Sequence, residues 1–440
     1  MTIELTSRSV AVDPSPEAAG ARRTFSAGAL LKGSALAAAL SLLAVGLAAC
    51  DQPATQSAAA PASGQPSTPA PAPLPPVVPF DQAVLNAANA VFSAAPAGSH
   101  RVVIDPLVDG VTGYSSTATA NIQSQVTDLI QRQYPQFAVE RFSPDSLKGS
   151  PLVLVGTFTP VNLQNQTTGP RQAYRFCLVL GDLKTGRVVA KGVARAQVAG
   201  VDATPTAVFR DSPVWTSDPA TQAYIAACQT TKVGDPLSKE FLDGLRVASL
   251  ISQGDEAYNA GQYRSALDLY GAAKQQPGGD QLKAYNGLYL SLWKLDQQQQ
   301  ATAAFGDAVG YGLKRNRLGV KFLFEPGSTQ FYRDPQVSAQ YPMWMQQIAE
   351  RAAQQTGSTG TCIDVSGHTS GTGSVQANER LSLQRADYVK GQLERDAPSL
   401  RGRLLATGAA SSQMLIGTSK DDASDALDRR VEFKPGAKCS

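Results

Sequence analysis

The stretch Val365-Ser-Gly-His-Thr-Ser-Gly-Thr-Gly373, followed by Asn378-Glu-Arg-Leu-Ser-Leu-Gln-Arg385-Ala386, constrains the fold more than any other part of this 440-residue chain. Cys362 to Gly367 reads as a strand, and the glycines that follow turn the chain into a loop. Asn378 reads as the N-cap of a helix running to about Arg395, since its side-chain oxygen can take an orphan backbone N–H. Arg385 then lies about two turns in. With 3.6 residues per turn, Leu381, Ala386, Tyr388 and Val389 point to a sheet while Arg380 and Arg385 face the loop. Upstream, Lys321-Phe-Leu-Phe-Glu-Pro-Gly-Ser-Thr-Gln supplies a first strand and a turn into a helix over about 336–356. Downstream, Leu404 to Gly408 and Arg430 to Lys434 complete a βαβαβ-β layout.

From about Val320 to Phe433 these residues resemble the OmpA-like peptidoglycan-binding domain, and the match includes a closing Arg429-Arg430-Val431-Glu432. The resemblance implies a C-terminal module over 320–436. It also implies a groove for the peptidoglycan stem peptide built from Gly367, His368, Thr369, Ser370, Asn378, Arg385 and Arg430. In the family a His-Thr-Asp loop and a helical arginine grip diaminopimelate, the aspartate holding the ammonium and the arginine the carboxylate. Such a split suits a zwitterion and a forked guanidinium donor. His368 is read as bracing the loop more than touching ligand. One departure stands out: fifteen positions before Arg385 this chain has Ser370 where the family has its aspartate. Exchanging a charge-assisted hydrogen bond for a neutral one weakens binding by roughly 1 to 2 kcal/mol.

The N-terminus reads as a targeting segment over 1–49: Arg22-Arg23, an apolar run from Ala29 to Ala49, then Leu47-Ala48-Ala49-Cys50. That tetrapeptide resembles a bacterial lipobox, which implies cleavage before Cys50 and lipidation of its thiol, so the run is a signal peptide and not a permanent span. Arg22-Arg23-Thr24-Phe25 is also similar to a twin-arginine export signal. Asp51 resembles the enterobacterial mark for inner-membrane retention. The outer membrane is the favoured location and the inner membrane stays open. Residues 50–79 form a linker that from Gln52 is almost wholly Ala, Pro, Ser, Thr and Gln, a composition too poor in apolar surface to fold. In polyproline II form it could reach roughly 80 Å at about 3.1 Å per residue.

A formal net charge of +3 with 17% charged residues argues against a nucleic-acid partner. Of five cysteines, four remain once Cys50 is lipidated. In an oxidising compartment Cys177 is expected to pair with Cys228 and Cys362 with Cys439, the alternative being buried free thiols. Two histidines and no Cys-x-x-Cys spacing leave no metal site.

The mature chain therefore reads as α+β and multidomain. Residues 80–244 form an N-terminal sandwich in which helices at 81–93 and 118–134 cover one face of a mixed sheet. Its strands lie near Arg101–Asp105, Phe137–Phe142, Pro151–Phe158, Tyr174–Leu180 and Arg187–Ala196, the last two joined by a hairpin at Gly181–Gly186. Val103-Ile-Asp-Pro-Leu-Val-Asp-Gly faintly resembles a periplasmic lipoprotein domain, and no functional residue carries over. His100, Asp105 and Asp109 are read as ordinary, the carboxylates capping turns through their own backbone. Over 246–312, Gly254, Gly261, Tyr263, Ala266, Tyr270 and Ala273 recur as Tyr289, Asp296, Gln298, Ala301, Phe305 and Ala308. This resembles tetratricopeptide repeats, whose concave surfaces bind proteins. Two repeats are too few to stand alone, so they are expected to pack on a neighbour.

Without a nucleophile–base grouping, paired carboxylates, a phosphate loop or a cofactor motif, the chain is not read as an enzyme. The expectation is a lipid-anchored envelope protein that binds peptidoglycan non-covalently and positions an envelope assembly. The alternative is a periplasmic adaptor that recruits protein partners through its repeats and first domain, with a degenerate wall site.

Overall fold

A computed structural model describes residues 73–439, with the side chains of 336, 337 and 437 left aside. The export segment, Cys50 and the linker up to residue 72 lie outside the described residues. None of the described helices is long and apolar enough to cross a membrane.

The first sheet begins with β1 (Val77–Val78), α1 (Phe80–Ala94), β2 (His100–Ile104), α2 (Thr117–Gln133), β3 (Phe137–Glu140) and the short α3 (Pro144–Leu147). It continues with β4 (Leu152–Val161), β5 (Ala173–Asp182) and β6 (Arg187–Gln197). Its order is β1-β6-β5-β4-β2-β3. The long strands β4, β5 and β6 are antiparallel, and β2 runs parallel to both β3 and β4. Ser116 starts α2 with a reciprocal capping box to Thr119. The expected elements are present, but one expectation is corrected: helices cover both faces. All ten residues of β4 are buried. Leu152, Leu154 and Phe158 pack beneath α1 and α2, while Val153 and Val155 pack with residues of later helices on the other side. A strand whose alternate residues are both apolar can be satisfied only by cover on two sides.

That second cover comes after the short α4 (Ala207–Asp211) and β7 (Val214–Trp215), from α5 (Pro219–Gln229) and the first turns of α6 (Lys239–Asn259). The disulfide Cys177–Cys228 ties β5 to α5. Then follow α7 (Tyr263–Lys274), α8 (Leu282–Lys294) and α9 (Gln298–Lys314), so 239–314 forms two helix pairs. The expected boundary at 244/246 falls inside the continuous α6. Ala266, Tyr270 and Ala273 of the first pair and Ala301, Phe305 and Ala308 of the second are all fully buried. Gly254 sits where a Cβ would stand 2.8 Å from the Tyr270 ring. The turn before each second helix is left-handed at Gly261 (φ +75°) and at Asp296 (φ +58°), aspartate being one of the few residues that tolerate that conformation.

The last part contains β8 (Leu318–Val320), the short α10 (Pro335–Ser338), α11 (Tyr341–Thr359), β9 (Cys362–His368), α12 (Val375–Asp396), β10 (Leu404–Ala410) and β11 (Val431–Ala437). Its sheet has the order β10-β9-β11-β8-β7. β9 and β10 are parallel, and β11 lies antiparallel between β9 and β8. The edge strand β7 comes from the N-terminal half, pairing Val214 with Val320 and Trp215 with Gly319. The first strand is displaced from its expected place: pairing ends at Val320, and Phe324 meets only Phe331 across an isolated bridge. The second disulfide, Cys362–Cys439, joins the start of β9 to the chain end. One apolar core runs from the helix pairs into this sheet, with Phe305 of α9 stacked on Trp344 of α11 at 5.4 Å. The helix pairs thus pack against a neighbour.

Candidate functional site

The loop after β9 and the first half of α12 bring the expected residues together, and small residues set the distance. A Cβ on Gly367 would lie 2.0 Å from the Ser382 carbonyl oxygen, and one on Gly408 2.7 Å from its hydroxyl. Only glycines on β9 and β10 let α12 settle that close. The inward stripe of α12 is therefore partly polar: Asn378, Ser382 and Arg385 are buried together with Ala386, Val389 and Leu393. Ser382 Oγ accepts from the Ala410 N–H at 3.1 Å and fixes the end of β10.

Asn378 does not cap the helix. Ser374 does, its Oγ accepting from the Ala377 N–H at 3.2 Å, because the helix starts four residues earlier than expected. Asn378 instead donates to the carbonyls of Thr372 at 2.8 Å and Ser370 at 3.4 Å, clamping the loop.

Two of the expected ligand residues, His368 and Arg430, sit in the core. Arg430 is 1% exposed. Its Nε and Nη2 donate to Glu432 Oε1 at 2.7 and 2.5 Å, and its remaining hydrogen bonds go to the Leu427 and Gln413 carbonyls. Arg317 and Lys434 also reach Glu432, at 2.9 and 3.1 Å. Burial alone would raise the Glu432 carboxyl, but the neighbouring Arg430 and Arg317 hold it well below the usual carboxylate range. His368 Nε2 lies 3.7 Å from the same carboxylate. Burial and the adjacent Arg430 push its pKa down to about 3, so the ring is neutral. Thr369 is buried as well, and its backbone N–H donates to the Ala410 carbonyl. Gly367, His368, Thr369 and Arg430 thus shape the loop from behind. The physical reason is that a β-strand sends alternate side chains to opposite faces, and at this strand end both faces are covered.

Arg385 is different. Its Nε donates to the Ser328 carbonyl at 3.0 Å and its Nη2 to the Glu325 carbonyl at 3.3 Å, with the guanidinium 4.7 Å over the Phe324 ring. Among the described residues no carboxylate stands within ion-pair distance of it. Burial and the repulsion of Arg429 lower its pKa to about 10, opposed by the attraction of Asp421.

Asp421 was not visible in the sequence as part of this site. Its Oδ1 accepts from Ser370 Oγ at 2.9 Å and its Oδ2 from Thr372 Oγ1 at 3.2 Å. Arg429 Nη1 donates to Asp421 Oδ1 at 2.8 Å and to Asp425 Oδ1 at 2.7 Å. The Asp421 side chain is half exposed, at 49%. A carboxylate therefore stands beside the hydroxyl of Ser370, delivered by a loop 51 residues away.

The residues set aside in the first domain stay apart. Asp109 caps a turn, its Oδ1 accepting from the N–H groups of Thr112 and Val111 at 2.7 and 3.1 Å. His100 stacks on Phe137. Asp105 caps nothing: its Oδ2 is buried without a partner, and burial raises its pKa to about 7.

No family model matches the chain, and no curated protein matches it. Among solved structures it is similar to the cell wall anchor of the T6SS from Pseudomonas aeruginosa, at 20% identity over 28% of this chain and 81% of that one, with a TM-score of 0.22. It is similar to an outer membrane protein from Borrelia burgdorferi B31 at 23% identity, over 27% of this chain and 86% of that one, with a TM-score of 0.20. A third is the periplasmic domain of Helicobacter pylori MotB, at 22% identity, 28% and 74% coverage and a TM-score of 0.21. Each likeness covers less than a third of the chain, and at such scores none bears on the site.

Proposed function

We propose that the site formed by Arg385 and by the contact between the β9–α12 loop and the 421–429 turn binds the peptidoglycan stem peptide, in the manner of an OmpA-like domain. Arg385 receives a ligand carboxylate and Asp421 a ligand ammonium. The observation that carries this reading is the bonding of Arg385. A buried cation without a counter-ion is costly, and here two neutral carbonyls and a phenyl face stand where an anion belongs. A ligand carboxylate that displaces the Glu325 and Ser328 carbonyls replaces neutral acceptors with a charge-assisted, forked pair, worth about 1.5 to 3 kcal/mol per bond against 0.5 to 1.5. Asp421 beside Ser370 offers the negative charge that Ser370 lacks. The weakening expected from the serine is offset to that extent.

With Cys50 as lipid anchor and 50–79 as tether, the protein would hold a membrane and the wall together without catalysis. The buried CH2 groups of the acyl chains, at about 0.8 kcal/mol each, provide the durable attachment. The helix pairs, with their resemblance to tetratricopeptide repeats, are the surface proposed for protein partners.

Co-sedimentation of the chain with purified sacculi tests the reading. The natural sequence should pellet with sacculi, and Arg385→Met should remain in the supernatant while its stability changes by less than about 1.5 kcal/mol. If the natural sequence stays in solution, the wall site is lost and the adaptor reading takes its place.

A further inference from the structure

A cavity of about 450 Å³ opens where the first sheet, the helix pairs and the C-terminal module meet. This size suits a small organic ligand, and junctions between folded parts are common places for one. Two kinds of wall define it.

The first is aromatic. Phe158 and Tyr174 stack on each other at 4.2 Å on the sheet side, Tyr341 and Trp344 lie 5.0 Å apart on α11, and Trp293 of α8 completes the ring. The Trp293 indole N–H makes no hydrogen bond among the described residues. Flat apolar walls of this kind take the faces of a ring system.

The second wall is cationic. Arg210, Lys294 and Lys321 gather around the single carboxylate of Asp211, which Arg210 meets at 3.1 Å and Lys294 at 3.6 Å. Asp211 also accepts from Tyr258 Oη at 2.9 Å. Lys321 Nζ donates to the carbonyls of Arg210 at 2.7 Å and Phe209 at 3.1 Å, which leaves one of its three N–H donors unspent. Burial lowers its pKa to about 8. Of the remaining lining charges, Arg429 is engaged by Asp421 and Asp425, while Asp109 accepts from the Thr112 turn through Oδ1 and keeps a buried Oδ2 without a partner. With Arg429 paired, three cations stand against the two carboxylates of Asp211 and Asp109, which leaves an excess of positive charge in the lining.

From this pairing we infer that the cavity is a second binding site, for a small amphipathic anion whose ring-containing body lies among the aromatic side chains and whose acidic group meets Lys321 and Lys294. It shares the 421–429 turn with the wall site, through Ala423, Ala426 and Arg429, but neither Arg385 nor Ser370 lines it.

Two dyes with the same ring system test the inference on the full chain. 8-Anilinonaphthalene-1-sulfonate carries the anionic group, and N-phenyl-1-naphthylamine lacks it. The sulfonate should bind once per chain, quench the emission of Trp293 and Trp344, and bind at least tenfold more tightly than the neutral dye. Ala203→Phe and Ala426→Phe, which fill the cavity from opposite walls, should each weaken the sulfonate at least tenfold. Lys294→Met at the mouth and Lys321→Met within should each narrow the gap between the dyes. Near-ultraviolet circular dichroism checks that each variant is folded, and the two filling variants stand in for one another if one is not. Equal affinity for the two dyes, several weak sites, or sulfonate binding unchanged in a folded filling variant overturns the inference.

Discussion

Two buried arginines of the C-terminal module, about 6% and 1% exposed, have opposite surroundings. Arg430 is held by Glu432, whose carboxylate is also shared with Arg317 and Lys434. Arg385 has only main-chain carbonyls and a ring face. The same side chain, equally removed from water, is in one place part of the fold and in the other a charge awaiting a partner. Burial alone therefore does not separate structural from functional arginines. The presence or absence of a counter-ion does.

The largest effect expected from this contrast is on stability. Glu432→Gln removes the counter-ion of Arg430 and should cost about 3 to 5 kcal/mol, read from urea unfolding. A loss below about 1 kcal/mol would mean that the pair is not what holds this strand end. Arg385→Met should be the reverse case, with stability changed by less than about 1.5 kcal/mol in either direction while sacculus binding falls more than roughly thirtyfold. A large destabilisation without ligand would make Arg385 structural and erase the contrast.

His368 gives a prediction of intermediate size. Its pKa is near 3 in the folded chain against an ordinary 6.5. Below pH 6.5 the unfolded chain binds a proton that the folded chain refuses, so stability falls as pH drops through that window. Between pH 7.5 and 5.5 this amounts to about 1.4 kcal/mol, which His368→Asn should remove from the pH dependence of the urea midpoint. Equal pH slopes in the two proteins would show that the ring takes up a proton while folded.

The smallest effects concern the acidic half of the cleft. Asp421→Asn should weaken sacculus binding by about 1 to 2 kcal/mol, or five- to thirtyfold, with little change in stability because the side chain is half exposed. Ser370→Asp should not strengthen binding, because it places a second carboxylate against Asp421. A clear gain in the Ser370→Asp variant would show that Asp421 does not serve the ligand.

Much of this was legible in the chain. The strand, loop and helix around Gly367 and Arg385 followed from glycine placement and helical period, and both cysteine pairs followed from an even count of thiols with two falling in each of two expected domains. The start of α12 was misplaced because Ser374 and Asn378 both have capping side chains, and only the helix's contact with the loop decides between them. Arg430 was read as a ligand residue because the sequence does not tell which of Arg429 and Arg430 turns inward; just before β11, Arg429 meets Asp421 and Asp425 while Arg430 enters the core to meet Glu432. Asp421 lay hidden for another reason: a loop with Lys420-Asp421-Asp422 looks like any solvated turn.

The sequence by itself determined the elements, because hydrophobic period and turn residues act over a few positions. It also determined the arginine on its helix and the uncharged side chain of Ser370 in the loop before it. The tertiary structure decided which arginine has a counter-ion, which distant carboxylate faces Ser370, and that β7 from the first half completes the last sheet. Those depend on groups tens to hundreds of residues apart meeting in space. Charge pairing and strand pairing are set by distance through space, and spacing along the chain does not encode it.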